Sequence, residues 1–537
     1  MVGKWQEKET QKTDDQIAEV VRFACFVSKI EPKNHKEALV DEFWIAAMQE
    51  ELEQFERSDV WDLVPRPQDA NVVGTKWIFK NKTDGSGTVT RNKARLVAQG
   101  YSQVEGVDFY DTFAPVARLE SIRFLFGMSC ALNFRLHQMD VKSAFLNGIL
   151  QEEVYVEQPK GFDVSSKESH VYKLKKALYG LKQAPRAWYN RLTTFLINQG
   201  YERGSVDKTL FVLSNNSGLI IVQIYVDDIV FGSTCQELVD QFVQAMTQEF
   251  EMSMCGEFTY FLGLQVKQTD DGIFVTQSTY AKNLVVRFGM DKSKDAKTPM
   301  GVNEKLSKDE SGESVDEKLY RGMIGSLLYL TASRPDICMA VGVCARYQAK
   351  PKISHLLAVK RIIKYVKGTV NLGIYFTKDT TKEFMGFCDA YWAGSLDYRR
   401  STSGGCFFMG NNLISWHSKK QNSVSLSTAE AAYIALGSCC TQLMWMKQMA
   451  ADYGMTSDSI LIYCDNESAI NIAKNPVQHS RTKHIDIRHH FIRELVKEKL
   501  IVVDHVSTEF QLADLFTKPL DFNRFVSLRK AICVCEI

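Results

Sequence analysis

The chain has 537 residues, 45% of them hydrophobic and 24% charged, with 65 Lys and Arg against 64 Asp and Glu. This composition excludes collagen-like, disordered and mucin-like proteins, and at roughly 100–200 residues per domain the length predicts three or four domains. The net charge of +1 argues against a protein that holds nucleic acid or membrane by its overall charge, but it leaves room for local basic patches.

The first half of the chain begins with a predicted helix and a basic hairpin. Residues 36–57 carry apolar side chains near helical spacing. Residues 75–99 form two β-rich runs separated by Asp and Gly, which predicts a hairpin whose arms carry six cations against one acid. A helix over 119–131 and another over 187–199 are expected further along. These elements indicate a mixed α and β architecture with a local cationic ribbon.

The most informative element is an apolar strand that runs straight into acids. Residues 219–226 (LIIVQIYV) are typical of a central strand buried on both faces, yet Asp227 and Asp228 follow directly. Another apolar strand ends at Asp140. If the two strands are neighbours in one sheet, three carboxylates converge and could hold two divalent cations for an in-line phosphoryl displacement. The alternative is an ordinary hairpin turn with an exposed Asp-Asp pair.

The second half begins after a polar segment, residues 292–317, which is the best linker candidate. The helical stretch from 320 to 368 follows, and no acid occurs from 346 to 367. Three lysines at helical spacing predict a face that tracks phosphates, with a plain solvated face as the alternative; they are Lys360, Lys364 and Lys367. From residue 383 onward, three strands followed by alternating helices and strands predict an α/β layer.

The 13 cysteines are odd in number and scattered, so a disulfide framework is not expected, and without a C-x-x-C pair a structural zinc site has no support. The N-terminus is polar where a secretory signal would be apolar, and no apolar run approaches about 18 residues. We therefore expect an intracellular protein that does not bind membranes.

Several motifs together resemble a known family. The sequence YVDD inside an apolar hairpin, with MDVKSAFLNG upstream, resembles the palm of a reverse transcriptase. The segments LYGLKQAPRAWY, KARLVAQGYSQVEGVDFYDTFAPVARLESIR and YFLGLQV are similar to the copia-type (Pseudoviridae) branch of LTR retrotransposons. Further along, STSGG, SWHSKKQ, LSTAEA and HSRTKHIDIRHHFIRE are similar to the RNase H of the same Pol polyprotein.

The resemblance implies a multidomain fold of the α+β and α/β classes, in which a right-hand polymerase with fingers, palm and thumb or connection precedes an RNase H-like α/β domain. The expected divisions are an N-terminal helical extension (1–58), the reverse transcriptase fingers, palm and thumb (59–305), a basic helical connection (306–382) and the RNase H-like domain (383–537).

The function implied is RNA-directed DNA polymerase activity, with RNase H degrading the RNA of RNA–DNA hybrids. Each active site would use two Mg²⁺, with Mn²⁺ as a substitute, and the polymerase metals would be held by Asp140, Asp227 and Asp228. The alternative is a decayed or co-opted relic that binds nucleic acid without catalysis.

Expected partners are RNA template, DNA primer, hybrid and dNTPs, a tRNA primer, and the capsid and integrase of a complete element. The expected location is the cytoplasm, in a virus-like particle where capsid is supplied, with the nucleus as an alternative.

Further polymerase roles follow from the resemblance by position. Phe145 matches the aromatic gate that excludes a 2′-hydroxyl, with a core Phe as the alternative. The remaining residues are expected to contact dNTP or template (Lys93, Arg95, Gln183, Pro185, Tyr225) or to grip the primer end (Phe261, Leu262, Gly263). Gly, Pro and aromatic residues also make turns and cores, so these assignments are weaker than the carboxylates.

In the RNase H half, the resemblance makes Asp389, Glu430 and Asp465 the catalytic metal ligands. Glu430 also fits a capping box with Ser427, which would compete with metal binding. The fourth acid is Asp514, with Asp486 as the competing choice. This chain departs from the family at two positions that usually carry acids, Tyr391 and Ala432.

Overall fold

The structure is a computed structural model that describes residues 27–83, 88–164, 167–456, 459–475 and 491–537. Helices and strands are interspersed along these residues, in agreement with the mixed fold class expected. The helices are α1 (His35–Ala38), α2 (Glu42–Arg57), α3 (Leu119–Ala131), α4 (Ala184–Asn198), α5 (Gln236–Glu249), α6 (Ser278–Arg287), α7 (Glu317–Leu330), α8 (Cys338–Ala345), α9 (Ile353–Lys367), α10 (Thr428–Asp452), α11 (Glu467–Lys474), α12 (Phe491–Lys497) and α13 (Phe522–Ala531).

The strands form five sheets. They are β1 (Trp61–Pro65), β2 (Val72–Val73), β3 (Thr75–Thr83), β4 (Val89–Ala98), β5 (Leu136–Val141), β6 (Ile149–Val156), β7 (His170–Lys176), β8 (Glu202–Arg203), β9 (Leu210–Asn215), β10 (Gly218–Tyr225), β11 (Asp228–Ser233), β12 (Met252–Glu257), β13 (Tyr260–Phe261), β14 (Leu264–Gln268), β15 (Gly272–Thr276), β16 (Gly373–Thr377), β17 (Phe384–Tyr391), β18 (Thr402–Met409), β19 (Asn412–Lys420), β20 (Ile460–Cys464), β21 (Ile501–His505) and β22 (Val534–Cys535).

The predicted basic hairpin is confirmed as β3 and β4, which pair antiparallel from Thr75 opposite Ala98 onward. Its predicted turn residues, 84–87, lie outside the described residues. Side chains of β3 alternate between buried and exposed from Thr75 to Lys80, and the buried Phe79 meets Trp44 of α2 edge to face at a centroid distance of 5.3 Å. The N-terminal helix therefore forms one side of the hairpin's core.

A six-stranded sheet follows, in the order β12-β5-β11-β10-β9-β8. Strand β10 is central and mostly buried, as its apolar run predicts. It turns into β11 through Val226, whose φ of 57° lies in the left-handed region that a β-branched residue rarely adopts. Two neighbouring smaller sheets have the orders β1-β7-β6-β2 and β13-β14-β15-β16-β22.

The predicted linker contains no helix and no strand before α7 begins at Glu317, although all of residues 292–316 are described. It is nonetheless anchored on the region around α9. The ring Nε2 of His355 lies 2.7 Å from the carbonyl oxygen of Ser307, and Lys352 Nζ donates to the carbonyl of Gly312 at 2.8 Å. Backbone hydrogen bonds add to these contacts, since the N–H of Ile353 donates to the carbonyl of Glu313 at 3.0 Å. The segment is thus held against α9 by both side chains and backbone.

The C-terminal sheet has the order β19-β18-β17-β20-β21, antiparallel from β17 to β19 and parallel from β17 to β21. The α/β pattern expected from residue 383 is confirmed here. One predicted element differs: residues 511–518 contain a short 3₁₀ helix, Leu512–Phe516, rather than an α-helix. Helix α13 and strand β22 were not predicted.

One hydrophobic cluster spans both halves of the chain, and two further clusters lie in the first half. Phe124 of α3 packs on Phe384 and Tyr453 at centroid distances of 5.8 and 5.0 Å. The buried Arg123 donates from Nε to the carbonyl of Ile414 at 2.7 Å. Strand β16 also joins β15 to the C-terminal β22. Among the described residues, no helix combines the length and the apolar character needed to span a membrane.

Candidate active sites

The first candidate site lies where β5 and β11 meet. Asp228, the first residue of β11, is the Cα partner of Asp140 in β5. Asp227 occupies the turn just before, and its carbonyl accepts from the backbone N–H of Val141 at 3.1 Å. The strand of residues 219–226, β10, and the strand that ends at Asp140, β5, lie in one sheet as expected, but they are not direct neighbours because β11 lies between them. The hairpin turn from β10 to β11 nevertheless brings the three carboxylates to one end of the sheet.

The electrostatics of this group favour a bound cation. Burial raises the pKa of Asp227, and the charge of Asp140 adds to the effect. Burial, followed by the charges of Asp227 and Asp140, raises the pKa of Asp228 to about 6. Three partly buried acids that repel one another are stabilised by a divalent ion, and carboxylate oxygens are the ligands that Mg²⁺ prefers. The donor set fits Mg²⁺ or Mn²⁺.

A cavity of about 300 Å³ opens at two of these acids. Asp140 and Asp227 line one side, and Lys93 and Arg95 of β4 line it as well. Burial lowers the pKa of Lys93, and the neighbouring charge of Arg95 adds to the effect. A cavity that combines acids with a pair of cations can hold an anionic ligand together with its metal ions.

Helix α2 also lines this cavity, which sequence analysis missed. Glu50 forms an ion pair with Arg91 of β4, and Glu51 is 9% exposed. Burial raises the pKa of the Glu51 carboxyl to about 7, although Arg95 and Lys93 act in the opposite direction. The helix was predicted, but its docking on the hairpin could not be read from spacing alone.

Phe145 is partly buried against two hydrophobic clusters and contacts a residue that lines the cavity. Its ring packs against Tyr179 at a centroid distance of 4.9 Å, and the guanidinium of Arg95 lies 4.6 Å from the centre of the same Tyr179 ring. Tyr179 lines the cavity itself. Sequence analysis did not single out Tyr179; its place in the segment LYGLKQAPRAWY, four residues before Gln183, was the available signal.

Gln183 differs from its expected role, because its side chain is 2% exposed and its amide is engaged internally. Its Nε2 donates to the carbonyl of Asp108 at 2.9 Å, and its Oε1 accepts from Gln103 at 3.0 Å. It therefore ties the 103–108 loop to α4 and does not present a free amide to a template. Pro185 lies in the first turn of α4 and lines a separate, largely apolar cavity of about 580 Å³ with Val226.

The three residues expected to grip a primer lie where β13 turns into β14: Phe261 ends β13, and Leu262 and Gly263 form the tight turn. Leu262 and Gly263 have φ angles of 48° and 79°. The hydroxyl of Tyr329 in α7 donates to the carbonyl of Leu262, and a Cβ on Gly263 would lie 2.0 Å from that hydroxyl. Phe261 is buried and packs on Tyr225 at 5.6 Å, so it supports the turn from below.

The lysine face of α9 needs a correction. Lys367 donates to the carbonyl of Ser293 at 2.7 Å and pairs with Asp295 at 2.9 Å, so its charge is compensated from the linker. Residues 346–367 contain no acid, but the acid that pairs with Lys367, Asp295, lies earlier in the chain, in the linker. Lys360 and Lys364 form no ion pair within the described part of the chain.

The second candidate site is a group of three aspartates in the C-terminal sheet. Asp389 lies in β17, Asp465 follows the parallel strand β20, and Asp514 lies in the 3₁₀ helix. Each offers a carboxylate oxygen within 4.8 Å of the others. Asp514 is thus the acid that joins the group, whereas Asp486 lies outside the described residues.

A lysine and a threonine complete this group. Lys518 Nζ lies 2.7 Å from Asp514 Oδ1 and 3.7 Å from Asp389 Oδ2, which also accepts from the hydroxyl of Thr517. Burial and then the charge of Asp389 raise the pKa of Asp514 to about 6 and also raise the pKa of Asp465. Arg524 Nη2 lies 3.5 Å from Asp514 Oδ2, so two cations face three acids. Because an excess of negative charge remains, this donor set also fits a divalent cation.

Glu430 is not part of that three-residue group. Its Oε2 accepts from the backbone N–H of Leu426 at 2.6 Å, and its own N–H donates to Ser427 Oγ at 3.1 Å. Ser427 therefore caps α10 as the capping alternative predicts. The Glu430 carboxylate also reaches back to the backbone, but to the N–H of Leu426 and not to that of Ser427. Tyr391 is half-buried at the end of β17, and Ala432 is buried in α10.

Comparison with known proteins identifies a family. A family model described as reverse transcriptase (RNA-dependent DNA polymerase) matches residues 58–302. The chain is 39% identical over 509 residues to the retrovirus-related Pol polyprotein from transposon RE1 of Arabidopsis thaliana, covering 94% of this chain and 35% of that protein. It is 37% identical over 489 residues to the polyprotein from transposon TNT 1-94 of Nicotiana tabacum, covering 89% of this chain and 37% of that protein.

The chain therefore spans about a third of the length of these curated relatives. A solved structure of a foamy viral protease-reverse transcriptase in complex with double-stranded DNA aligns with 87% of this chain and 71% of its own, at 11% identity. The TM-score of 0.24 for that alignment is too low to support an argument about shared geometry.

Proposed function

We propose that this chain, which belongs to the reverse transcriptase family of copia-like, retrovirus-related transposons, is an RNA-directed DNA polymerase with an attached RNase H activity. The observation that carries the polymerase proposal is the pairing of Asp140 with Asp228, beneath a cavity that Lys93 and Arg95 also line. We place fingers, palm and thumb in residues 59–305, a connection in 306–382 and the RNase H in 383–537.

In the polymerase site, Asp140, Asp227 and Asp228 would hold two Mg²⁺. When bound, such ions stabilise the attacking and leaving oxygens of an in-line phosphoryl displacement. Lys93 and Arg95 lie within the same cavity and would bind the triphosphate of an incoming dNTP. Phe145, held by Tyr179, would restrict the space beside the sugar and so exclude a 2′-hydroxyl.

In the second site, Asp389, Asp465 and Asp514 would hold the metal ions for hydrolysis of the RNA strand of a hybrid, and Glu430 would contribute from the start of α10. Lys518 holds a proton close to two of these acids and stabilises their charge.

RNA template, DNA primer, hybrid and dNTPs are the proposed partners, along with a tRNA primer and the capsid and integrase of a complete element. A cytoplasmic virus-like particle is the proposed location.

Primer extension on poly(rA)/oligo(dT) with Mg²⁺ tests the polymerase proposal. We expect the purified chain to incorporate dTTP, and Asp227→Asn to lower the rate by more than about 100-fold, because a direct ligand should matter more than the outer-shell partners whose loss costs about 10–100-fold. Asp270→Asn removes a carboxylate whose side chain is 96% exposed and serves as the matched control. Equal incorporation by wild type and Asp227→Asn would refute the site, and no incorporation by either would favour the relic.

A further inference from the structure

A group of cations surrounds Tyr398 beside the C-terminal sheet. Lys308 from the linker and Lys420 from the end of β19 both approach the Tyr398 ring, with Nζ atoms 4.9 and 5.0 Å from its centroid. Arg346 lies next to them and donates from Nη2 to Thr402 Oγ1 at 3.0 Å. We call Lys308, Lys420, Arg346 and Tyr398 the cationic cluster.

The charge of this cluster is in excess. Neither lysine forms an ion pair within the part of the chain that the structure describes. Asp397 contributes one carboxylate, but its oxygens accept from the backbone N–H of Lys308 at 3.0 Å and from the hydroxyl of Tyr347 at 3.3 Å. Three cations against one acid, around a ring that is 47% exposed, form a surface suited to an anionic partner.

The position of the cluster relative to the second acid site follows from strand register. Asp389 of β17 is paired with Gly404 of β18, and two residues further along, Tyr391 is paired with Thr402. Thr402 is in turn paired with Lys420 of β19. Because directly paired residues and residues two apart share a face of a sheet, Asp389 and Lys420 lie on the same face.

The same register sets the separation of the two sites. Lys420 is two strands and two residues away from Asp389. With strands about 4.8 Å apart and a rise of about 3.3 Å per residue, this corresponds to roughly 12 Å between Cα atoms. The two backbones of a duplex are separated across a groove by a distance of this order: about 6 and 12 Å for the two grooves of B-DNA, with a wide, shallow minor groove in A-form helices. A hybrid with one strand at Asp389 can therefore bring its other strand near the cluster.

We propose that Lys308 and Lys420 bind phosphates of the DNA strand of an RNA–DNA hybrid while the RNA strand lies at Asp389. Tyr398 holds the two ammonium groups together, and Arg346 adds its charge at Thr402. This inference rests on the proposed RNase H function. It joins the linker to the C-terminal sheet in one binding surface, which would couple hybrid binding to the placement of residues 292–316.

Salt-dependent binding of a blunt-ended hybrid tests this proposal. The full chain carrying Asp389→Asn, which prevents cutting, is titrated by fluorescence anisotropy over a range of KCl. Each phosphate contact contributes about 0.9 to the slope of log affinity against log salt, so Lys308→Gln with Lys420→Gln should reduce the slope by about 1.8. Replacing both lysines by Arg should restore it, since the charge is kept.

A matched control removes two exposed lysines, Lys497→Gln with Lys499→Gln, near β21 at the opposite edge of the sheet. We expect this pair to change the slope by less than half as much. Strand choice is tested with hybrids in which one strand carries uncharged methylphosphonates in place of phosphates. The difference in slope between the Asp389→Asn parent and its Lys308→Gln, Lys420→Gln variant should disappear when the DNA strand is substituted. The same difference should persist when the RNA strand is substituted. An unchanged slope for the Lys308 and Lys420 pair, or a difference lost only with the RNA strand, overturns the proposal.

Cleavage of the same hybrid by the unmutated chain separates the two claims. If the chain does not cleave but the slope difference depends on the DNA strand, the RNase H activity fails and the binding site stands. If the chain cleaves and the slope difference is absent, the activity stands and the site fails.

Discussion

Phe145 packs against Tyr179 with ring centroids 4.9 Å apart, and Tyr179 in turn lies 4.6 Å from the guanidinium of Arg95. An aromatic side chain beside the cavity is thus held by a second ring that also positions a cation lining it. The hydroxyl of Tyr179 is not needed for either contact, since both involve the ring face or edge. The pair gives the proposed sugar selection a physical basis that can be tested.

Phe145→Ala should relax the choice of dNTP over rNTP. Removing the ring opens space beside the sugar, and contacts of this size typically change discrimination by about 10–200-fold. The ratio of kcat/KM for dTTP and UTP in primer extension measures the effect. Tyr179→Phe keeps the ring and should behave like wild type, whereas Tyr179→Ala should relax selection in part. An unchanged ratio in Phe145→Ala would assign Phe145 to the core.

Glu430 offers a choice between capping and metal binding that two substitutions separate. Glu430→Gln keeps an oxygen that can accept from the Leu426 N–H, so a metal-binding role predicts loss of hybrid cleavage without loss of stability. Ser427→Ala removes the N-cap oxygen of α10 and should lower the free energy of unfolding by about 1 kcal/mol while cleavage persists. Cleavage of a labelled hybrid and thermal unfolding report on the two effects. Full cleavage by Glu430→Gln would leave this residue with a capping role alone.

The sequence was sufficient to predict the convergence of Asp140 with Asp227 and Asp228, because acids that end apolar strands are costly unless the strands bring them together. It also left Asp514 as one of two choices for the second site, and the fold brings that residue beside Asp389 and Asp465. The first prediction depends on strand ends, where the backbone pattern determines where the side chain lies, whereas Asp514 reaches its group from a 3₁₀ helix.

The sequence was insufficient where a partner is distant along the chain. Lys367 belongs to a window without acids, yet Asp295 pairs with it from 72 residues away. Gln183 carries an amide that could contact a template, but that amide is buried in the fold. It bonds to the carbonyl of Asp108 and to the side-chain amide of Gln103, both in the loop ahead of α3. Glu51 is a helix residue of ordinary type whose environment is set by how α2 docks on β4. Tertiary contacts of this kind leave no periodic signal.

Glu51 should make the stability of the N-terminal region depend on pH. Burial raises the pKa of Glu51 from 4.5 to about 7, so between these values the folded chain binds a proton that the unfolded chain does not. The free energy of unfolding therefore falls as pH rises through this window, by about 3 kcal/mol at most.

Glu51→Gln removes that titration, so the variant should be more stable than wild type at pH 8 and nearly equal to it at pH 4.5. Urea unfolding of the full chain, followed by Trp fluorescence at both pH values, measures the difference. Glu53→Gln, an exposed acid on the same helix, should show no such pH-dependent gain. Identical unfolding midpoints for Glu51→Gln and wild type at pH 8 would show that the buried carboxyl carries no penalty.

Tyr329→Phe should weaken the hold on the primer end without affecting nucleotide binding. The hydroxyl of Tyr329 anchors the Leu262–Gly263 turn through the Leu262 carbonyl, while the ring packs on Tyr280 at 4.8 Å and would be kept. Losing one hydrogen bond costs about 1 kcal/mol, so the KM for template–primer should rise about fivefold with the KM for dTTP unchanged. Tyr280→Phe is the matched control, since it removes a bond to the Ser326 carbonyl on the same aromatic pair but none to the turn. A rise in both KM values, or the same rise in the control, would mean that the tyrosine pair stabilises α7 generally and does not position the turn.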